Sequence, residues 1–295
     1  MAFLRDRSGG WSPVKIAAFV GSLLPALWIA LQAVTGELGP RPVTEAIHQC
    51  GDWALRLILI TLAITPASRL LRYPRLIPAR RTLGVASAAY AVAHLMLYVV
   101  DQKLDLLKVA TEIALRIYLM IGFIALAGLL VLAATSTDAA VRRLGPARWS
   151  ALHRVVYVIA LLAVVHFFMQ SKLETYQPVL MSGFLIWLLA WRALWRRNGV
   201  VTPVHLLLLA FAVALVTAAG EALLYMLTSG VNGWRVLLAH LDVDIEVRPA
   251  WWVLVAGLMA AGLGFRRHQP AHQRASARRT SSDALSGATQ VQSGS

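Results

Sequence analysis

The sequence is poor in the residues that soluble enzymes depend on. It holds one cysteine, Cys50, which excludes an internal disulfide and any metal cluster built on cysteine. Its expected role is that of a small buried apolar side chain. Only 14% of the residues are charged, against about a quarter in an ordinary soluble domain. No glycine-rich dinucleotide fingerprint follows a strand pattern, which argues against an enzyme that carries its own NADPH domain. Acids are half as numerous as bases, giving a net charge of +14. That excess could suggest nucleic acid. The basic residues, however, sit in short groups at the ends of apolar runs, a placement that fits membrane topology and anionic lipid, with no nucleic-acid partner.

What the chain does have is long apolar runs. Its mean hydropathy is +0.65, and stretches of roughly 18 or more apolar residues recur along it, the mark of membrane-spanning helices. Ten tryptophans suit a protein with two interfaces to anchor. The pattern predicts an all-α, polytopic membrane helix bundle with eight spans, near residues 14–34, 53–71, 82–100, 113–134, 149–170, 178–194, 204–227 and 250–265. The first run follows a short basic segment, as in a signal peptide, but exceeds the roughly 7–15 residues of a signal core and is read as an uncleaved helix. Residues 36–51 and 101–112 read as loops. The segment GWRVLLAHLDVDIEV, before the last span, reads as interfacial. From Arg266 onward the chain loses hydrophobic periodicity and is expected to be a disordered basic tail.

Nineteen of the 28 Lys and Arg fall on the side of the N-terminus, the even-numbered connectors and the tail, and six on the other side. The bias places both termini in the cytoplasm, and eight spans agree with that in parity.

Two apolar runs contain histidine, His94 in RTLGVASAAYAVAHLMLYVV, and His153 and His166 in WSALHRVVYVIALLAVVHFFMQ. Ionisable residues inside hydrocarbon are costly and usually face a bundle interior or a ligand. Neutral imidazole is an axial ligand for haem iron, and bundle helices hold such cofactors. The third and fifth spans run the same way, and at 1.5 Å per residue His94 and His166 differ in depth by roughly 3 Å, so one haem can bridge them. His153 lies roughly 20 Å deeper, and 13 residues turn it about 220° away from the face of His166. At the matching depth on the third span stands Arg81, not a histidine. His153 is therefore a candidate for a headgroup, a flavin or a haem propionate, and a guanidinium at Arg81 suits a flavin phosphate or a propionate. The plainer reading of His94 and His166 is a hydrogen bond between helices, and that of His153 an interfacial histidine. His48, His205, His240, His268 and His272 fall in loops, at helix ends or in the tail and read as residues without a functional role. Glu221 lies inside the seventh span without an evident partner.

The blocks GDWALRLILITLAITP from Gly51, RRTLG…Y…H…Y from Arg80 to Tyr98, and LHRVVYVIALLAVVHFF from Leu152 resemble the MsrQ (YedZ) family, the haem-binding membrane subunits of a periplasmic protein-methionine-sulfoxide reductase system. The likeness covers roughly residues 12–197. This family belongs with the ferric-reductase-like transmembrane domains, which include the NADPH oxidases. The resemblance implies a six-helix ferric-reductase-like core over residues 13–197, after a cytoplasmic segment 1–12. Two extra transmembrane helices follow in 198–266, with the tail at 267–295. It implies haem b held by His94 and His166, with His153 as a third family histidine and candidate ligand, and an association with FMN. Arg81 stands where the oxidases have a fourth histidine. Electrons would enter from a cytoplasmic flavin reductase or the quinone pool. They would leave to a periplasmic molybdopterin-containing methionine-sulfoxide reductase catalytic subunit, across a bacterial inner membrane. A ferric-chelate reductase or quinol-oxidising cytochrome b would use the same histidines with another acceptor, and a non-redox carrier would hold no pigment.

Overall fold

The computed structural model describes residues 10–171, 174–242, 244 and 246–268. The expected cytoplasmic segment before residue 10, and the tail from residue 269 with His272, lie outside the described residues. Twelve α-helices and one 3-10 turn form the regular structure of those described. Six of the twelve, α1 (Pro13–Thr35), α2 (Pro42–Leu70), α3 (Ala79–Asp101), α5 (Ile117–Ala134), α9 (Tyr176–Asn198) and α10 (Pro203–Ser229), are apolar enough to cross a membrane, as is the combined stretch of α7 (Pro146–His153) and α8 (Val156–Ser171). The last helix, α12 (Pro249–His268), is apolar over a shorter stretch, Pro249–Phe265. Its 20 residues reach about 30 Å, close to the thickness of a hydrocarbon core. The chain is thus the all-α polytopic bundle its hydropathy predicts, six spans followed by two C-terminal helices.

Four boundaries differ from the sequence reading. Residues 36–51 are not all loop, because α2 begins at Pro42, with proline in its first turn and Glu45 at its positive end. Its polar first turns hide it from a hydropathy reading. Residues 101–112 contain a short amphipathic helix, α4 (Leu106–Leu115), capped by the Asp105 carboxylate on the Lys108 N–H. The connector before the fifth span holds α6 (Asp138–Leu144) and α7. That span is itself interrupted. The N–H groups of Arg154, Val155 and Tyr157 bond carbonyls three residues back, at Ala151, Leu152 and Arg154, and the tightened turn separates α7 from α8. His153 closes α7 and is not part of the helix that carries His166.

Lipid is as apolar as leucine, so helices in a bilayer associate through close packing and interhelical hydrogen bonds. Both are visible. Ser87 on α3 donates to the Ala54 carbonyl of α2 at 2.7 Å, and Tyr90 donates to the Ser22 carbonyl of α1 at 2.8 Å. In the C-terminal half, a Cβ on Gly257 of α12 would lie 2.6 Å from the Ala210 Cβ of α10, so these helices touch backbone to backbone. One buried cluster joins α2, α3, α5, α8 and α9, and another joins α9, α10 and α12. The second has its own polar centre. Glu221, 2% exposed on α10, lies 3.0 Å from Arg248 before α12 and 3.3 Å from His240, just after α11 (Gly233–Ala239). The Glu221 carboxylate beside it raises the pKa of His240 above the ordinary imidazole value. Glu221 therefore has two partners, and His240, read from the sequence as a histidine without a functional role, is buried beside it.

Candidate functional site

Two backbone carbonyls on neighbouring helices organise the site. The carbonyl of Ile47 on α2 takes the His94 Nδ1–H at 2.7 Å, and the carbonyl of Tyr118 on α5 takes the His166 Nδ1–H at 2.7 Å. A carbonyl in a helix already serves the N–H four residues on, yet keeps a second lone pair. A ring can reach that lone pair only where the next turn has no side chain in the way. Each carbonyl is followed four residues later by glycine. A Cβ on Gly51 would stand 2.9 Å from the His94 Nδ1, and one on Gly122 would stand 2.8 Å from the His166 Nδ1. The same device occurs twice, on opposite sides of the pair.

Its chemical result is a fixed tautomer. With Nδ1–H donated to a carbonyl, each imidazole is neutral and its lone pair is on Nε2, the arrangement that metal-bound histidines adopt. The ring centroids lie 6.3 Å apart with their planes at 89°. An atom bonded to both Nε2 atoms at about 2 Å, the usual metal–imidazole distance, sets centroids about 6 Å apart. Among the described residues no group of three or more His, Cys, Asp or Glu side chains could hold a metal ion. Two imidazoles alone are too few for a bare ion and are the right number for an iron whose other ligands come from a porphyrin.

A hydrogen-bonded arch closes one end of the pair. Tyr98, one turn beyond His94, donates to Glu112 of α4, and Arg116 bonds both Glu112 at 3.3 Å and the Tyr118 hydroxyl at 3.1 Å. Tyr118 is the residue whose carbonyl holds His166, so the arch joins the two histidines through α4.

The other two candidates lie elsewhere. His153 stacks on Trp149 at 3.9 Å, accepts no share in the pair, and has protein partners at both nitrogens, the Trp149 carbonyl at 3.0 Å and the Ser136 hydroxyl at 3.4 Å. Trp149 in turn donates to the Thr135 carbonyl at 2.8 Å, which fastens α7 to the end of α5. Arg81 pairs with Asp138 of α6 at 2.7 Å, and that guanidinium lowers the Asp138 carboxyl below its ordinary pKa. The structure thus unites His94 with His166 and leaves His153 and Arg81 apart. Sequence reasoning missed Ile47, Gly51, Tyr118 and Gly122. The signal was a glycine inside an apolar run, but its meaning depends on which helix faces it.

Residues 50–164 match the family described as the ferric reductase like transmembrane component. The chain is also similar to curated proteins named protein-methionine-sulfoxide reductase heme-binding subunit MsrQ. It is 40% identical to that of Caulobacter vibrioides over 57% of this chain and 80% of the relative. It is 39% identical to that of Rhodospirillum rubrum, over 64% and 88%, and 41% identical to that of Bordetella pertussis, over 63% and 92%. No solved structure gives a significant match.

Proposed function

The chain belongs to the MsrQ family, and from that membership we propose that it is the haem-binding membrane subunit of a methionine-sulfoxide reductase, passing electrons to a periplasmic molybdopterin-containing catalytic subunit. One observation supports this most directly. His94 and His166 stand 6.3 Å apart, each with Nδ1 committed to a backbone carbonyl and Nε2 left as a ligand. These two imidazoles would be the axial ligands of a haem b. When bound, that group supplies a one-electron carrier inside the hydrocarbon core.

The chain's own residues hold and insulate. Ile47 and Tyr118 fix the tautomer and orientation of the two rings. Gly51 and Gly122 admit them. The apolar cluster of α2, α3, α5, α8 and α9 would keep water from the two Nε2 atoms. Residues 13–197 form the electron-transfer core, residues 198–266 an accessory pair of helices, and both termini face the cytoplasm of an inner-membrane protein. The donor is a reduced flavin, through FMN and a cytoplasmic flavin reductase, or the quinone pool. His153 and Arg81, on the donor side, shape the entry end. Reporter fusions after Arg197 should read cytoplasmic, and a periplasmic signal would overturn the orientation.

The acceptor is tested with dithionite-reduced protein. Reoxidation that needs both the periplasmic subunit and methionine sulfoxide supports the proposal. Reoxidation by ferric chelates alone, indifferent to the partner, assigns the chain to a ferric-chelate reductase instead.

A further inference from the structure

A second site lies near the ends of α2 and α9 that meet the basic connectors. A cavity of about 350 Å³ opens there, lined among others by Arg69, Tyr157, Trp191, Arg192, Trp195 and Arg196. Arg192 is six residues from the end of α9, roughly 9 Å into the span, where a charge needs compensation. The protein gives it dipoles only. It bonds the Tyr157 hydroxyl at 3.1 Å, the Leu188 carbonyl at 2.9 Å and the Leu62 carbonyl. Arg69 lies 4.0 Å over the Trp195 ring, and Arg69 and Arg80 are both within electrostatic reach of Arg192. Among the described residues no carboxylate comes within ion-pair distance of Arg69, Arg80, Arg192 or Arg196. One buried donor also lacks an acceptor: Trp191, 1% exposed, lines the cavity and leaves its indole N–H unbonded. Cations gathered without an anion, beside an unsatisfied buried donor, describe a site built for a ligand.

We propose that this cavity binds the phosphodiester headgroup of an anionic membrane phospholipid. Phosphate oxygens supply the missing anion, and guanidinium forks match their geometry. A basic pocket between spanning helices at the membrane surface is a recurrent form of lipid headgroup site. The flanking surface provides for the acyl chains. On α8 the exposed Leu161 and Val165 follow Tyr157 at four and eight residues, on the same face, and on α9 the exposed Ile186 stands seven residues, two turns, before Ala193 on the cavity rim. A soluble phosphate ester would have no use for these tracks. The site is separate from the histidine pair, since Tyr157 on its wall lies nine residues and roughly 14 Å along α8 from His166.

Native mass spectrometry of the full chain in detergent, titrated with phosphatidylglycerol or with phosphatidylcholine of the same chain length, tests the assignment. Wild type should retain one phosphatidylglycerol selectively. Arg69 and Arg196 are both exposed, and the far-UV circular dichroism of their double variant should match wild type. The double variant Arg69→Gln/Arg196→Gln should bind phosphatidylglycerol roughly 30-fold more weakly, about fivefold for each cation lost. Arg75→Gln/Arg142→Gln, outside the cavity, should bind as wild type does. Equal retention of the two lipids, or undiminished binding by Arg69→Gln/Arg196→Gln, overturns the proposal. Displacement of phosphatidylglycerol by inorganic phosphate or glycerol 3-phosphate at lower concentration than the lipid assigns the cavity to a soluble phosphate ester.

Discussion

The histidine pair and His240 begin alike and end differently. In all three the Nδ1 sits on a backbone carbonyl, that of Ile47, Tyr118 or Val236, so each ring is held by the same bond. The other nitrogen separates them. His240 turns Nε2 toward the Glu221 carboxylate at 3.3 Å, and the ring becomes half of a buried charge cluster that fastens α11 and α12 to α10. Among the described residues His94 and His166 meet no carboxylate, and their Nε2 lone pairs stay available for a ligand. A buried histidine is therefore not in itself a cofactor ligand. What stands opposite its second nitrogen decides whether it binds or fastens.

Substitution separates the two roles most sharply at the rings themselves. His94→Ala or His166→Ala should leave less than about a tenth of the wild-type haem per chain, because no water readily replaces an axial ligand in apolar surroundings. His240→Ala should keep the full amount. Equal loss in all three, measured as pyridine haemochrome, would dissolve the distinction.

The converse change comes next in size. Removing one partner of a buried charge pair costs about 3–5 kcal/mol. Arg248 is a quarter exposed, so Glu221→Leu should cost nearer 2 kcal/mol, once solvent screening is allowed for. It should make the connection between α10 and α12 open to limited proteolysis while the haem spectrum stays unchanged. A bleached spectrum would show that the two regions are coupled.

Smaller effects are expected at the glycines. A Cβ at Gly51 or Gly122 forces the facing imidazole off its carbonyl, and overpacking of this kind costs about 1–3 kcal/mol. Gly51→Ala and Gly122→Ala should release haem about tenfold faster to an apo-globin acceptor. Gly21→Ala, where a Cβ meets nothing within 4 Å, should behave as wild type. The least effect is that of pH. Because Glu221 raises the His240 pKa, with Arg248 as the other charge facing it, the ion pair stabilises fully below the ordinary imidazole value of about 6.5. That contribution is lost as pH rises through the folded value. Thermal stability of the C-terminal unit should decline as pH rises through that window, and His240→Gln should abolish the decline.

The depth of the two ligand candidates could be read from the sequence, because rise per residue is fixed and alternate spans run the same way. The eight apolar stretches were legible for the same reason. Hydropathy is blind to backbone register, which hid the turn at Arg154 and Val155 and so misplaced His153 on the helix of His166. It is equally blind to a helix whose first turns are polar, which hid the part of α2 that carries Ile47. Gly51 and Gly122 gain their meaning from rings 43 and 44 residues further along the chain, and Glu221 gains its partners 19 and 27 residues later. Pairings of that kind exist only after the helices have packed.

The sharpest test of the His94–His166 assignment compares haem content and spin state of purified His153→Ala and His166→Ala. Both nitrogens of His153 are occupied by the protein, so His153→Ala should retain one low-spin haem per chain, and His166→Ala should lose it or turn high-spin. Loss of the low-spin spectrum in His153→Ala, with His166→Ala unaffected, would contradict the pairing and place the ligand on α7.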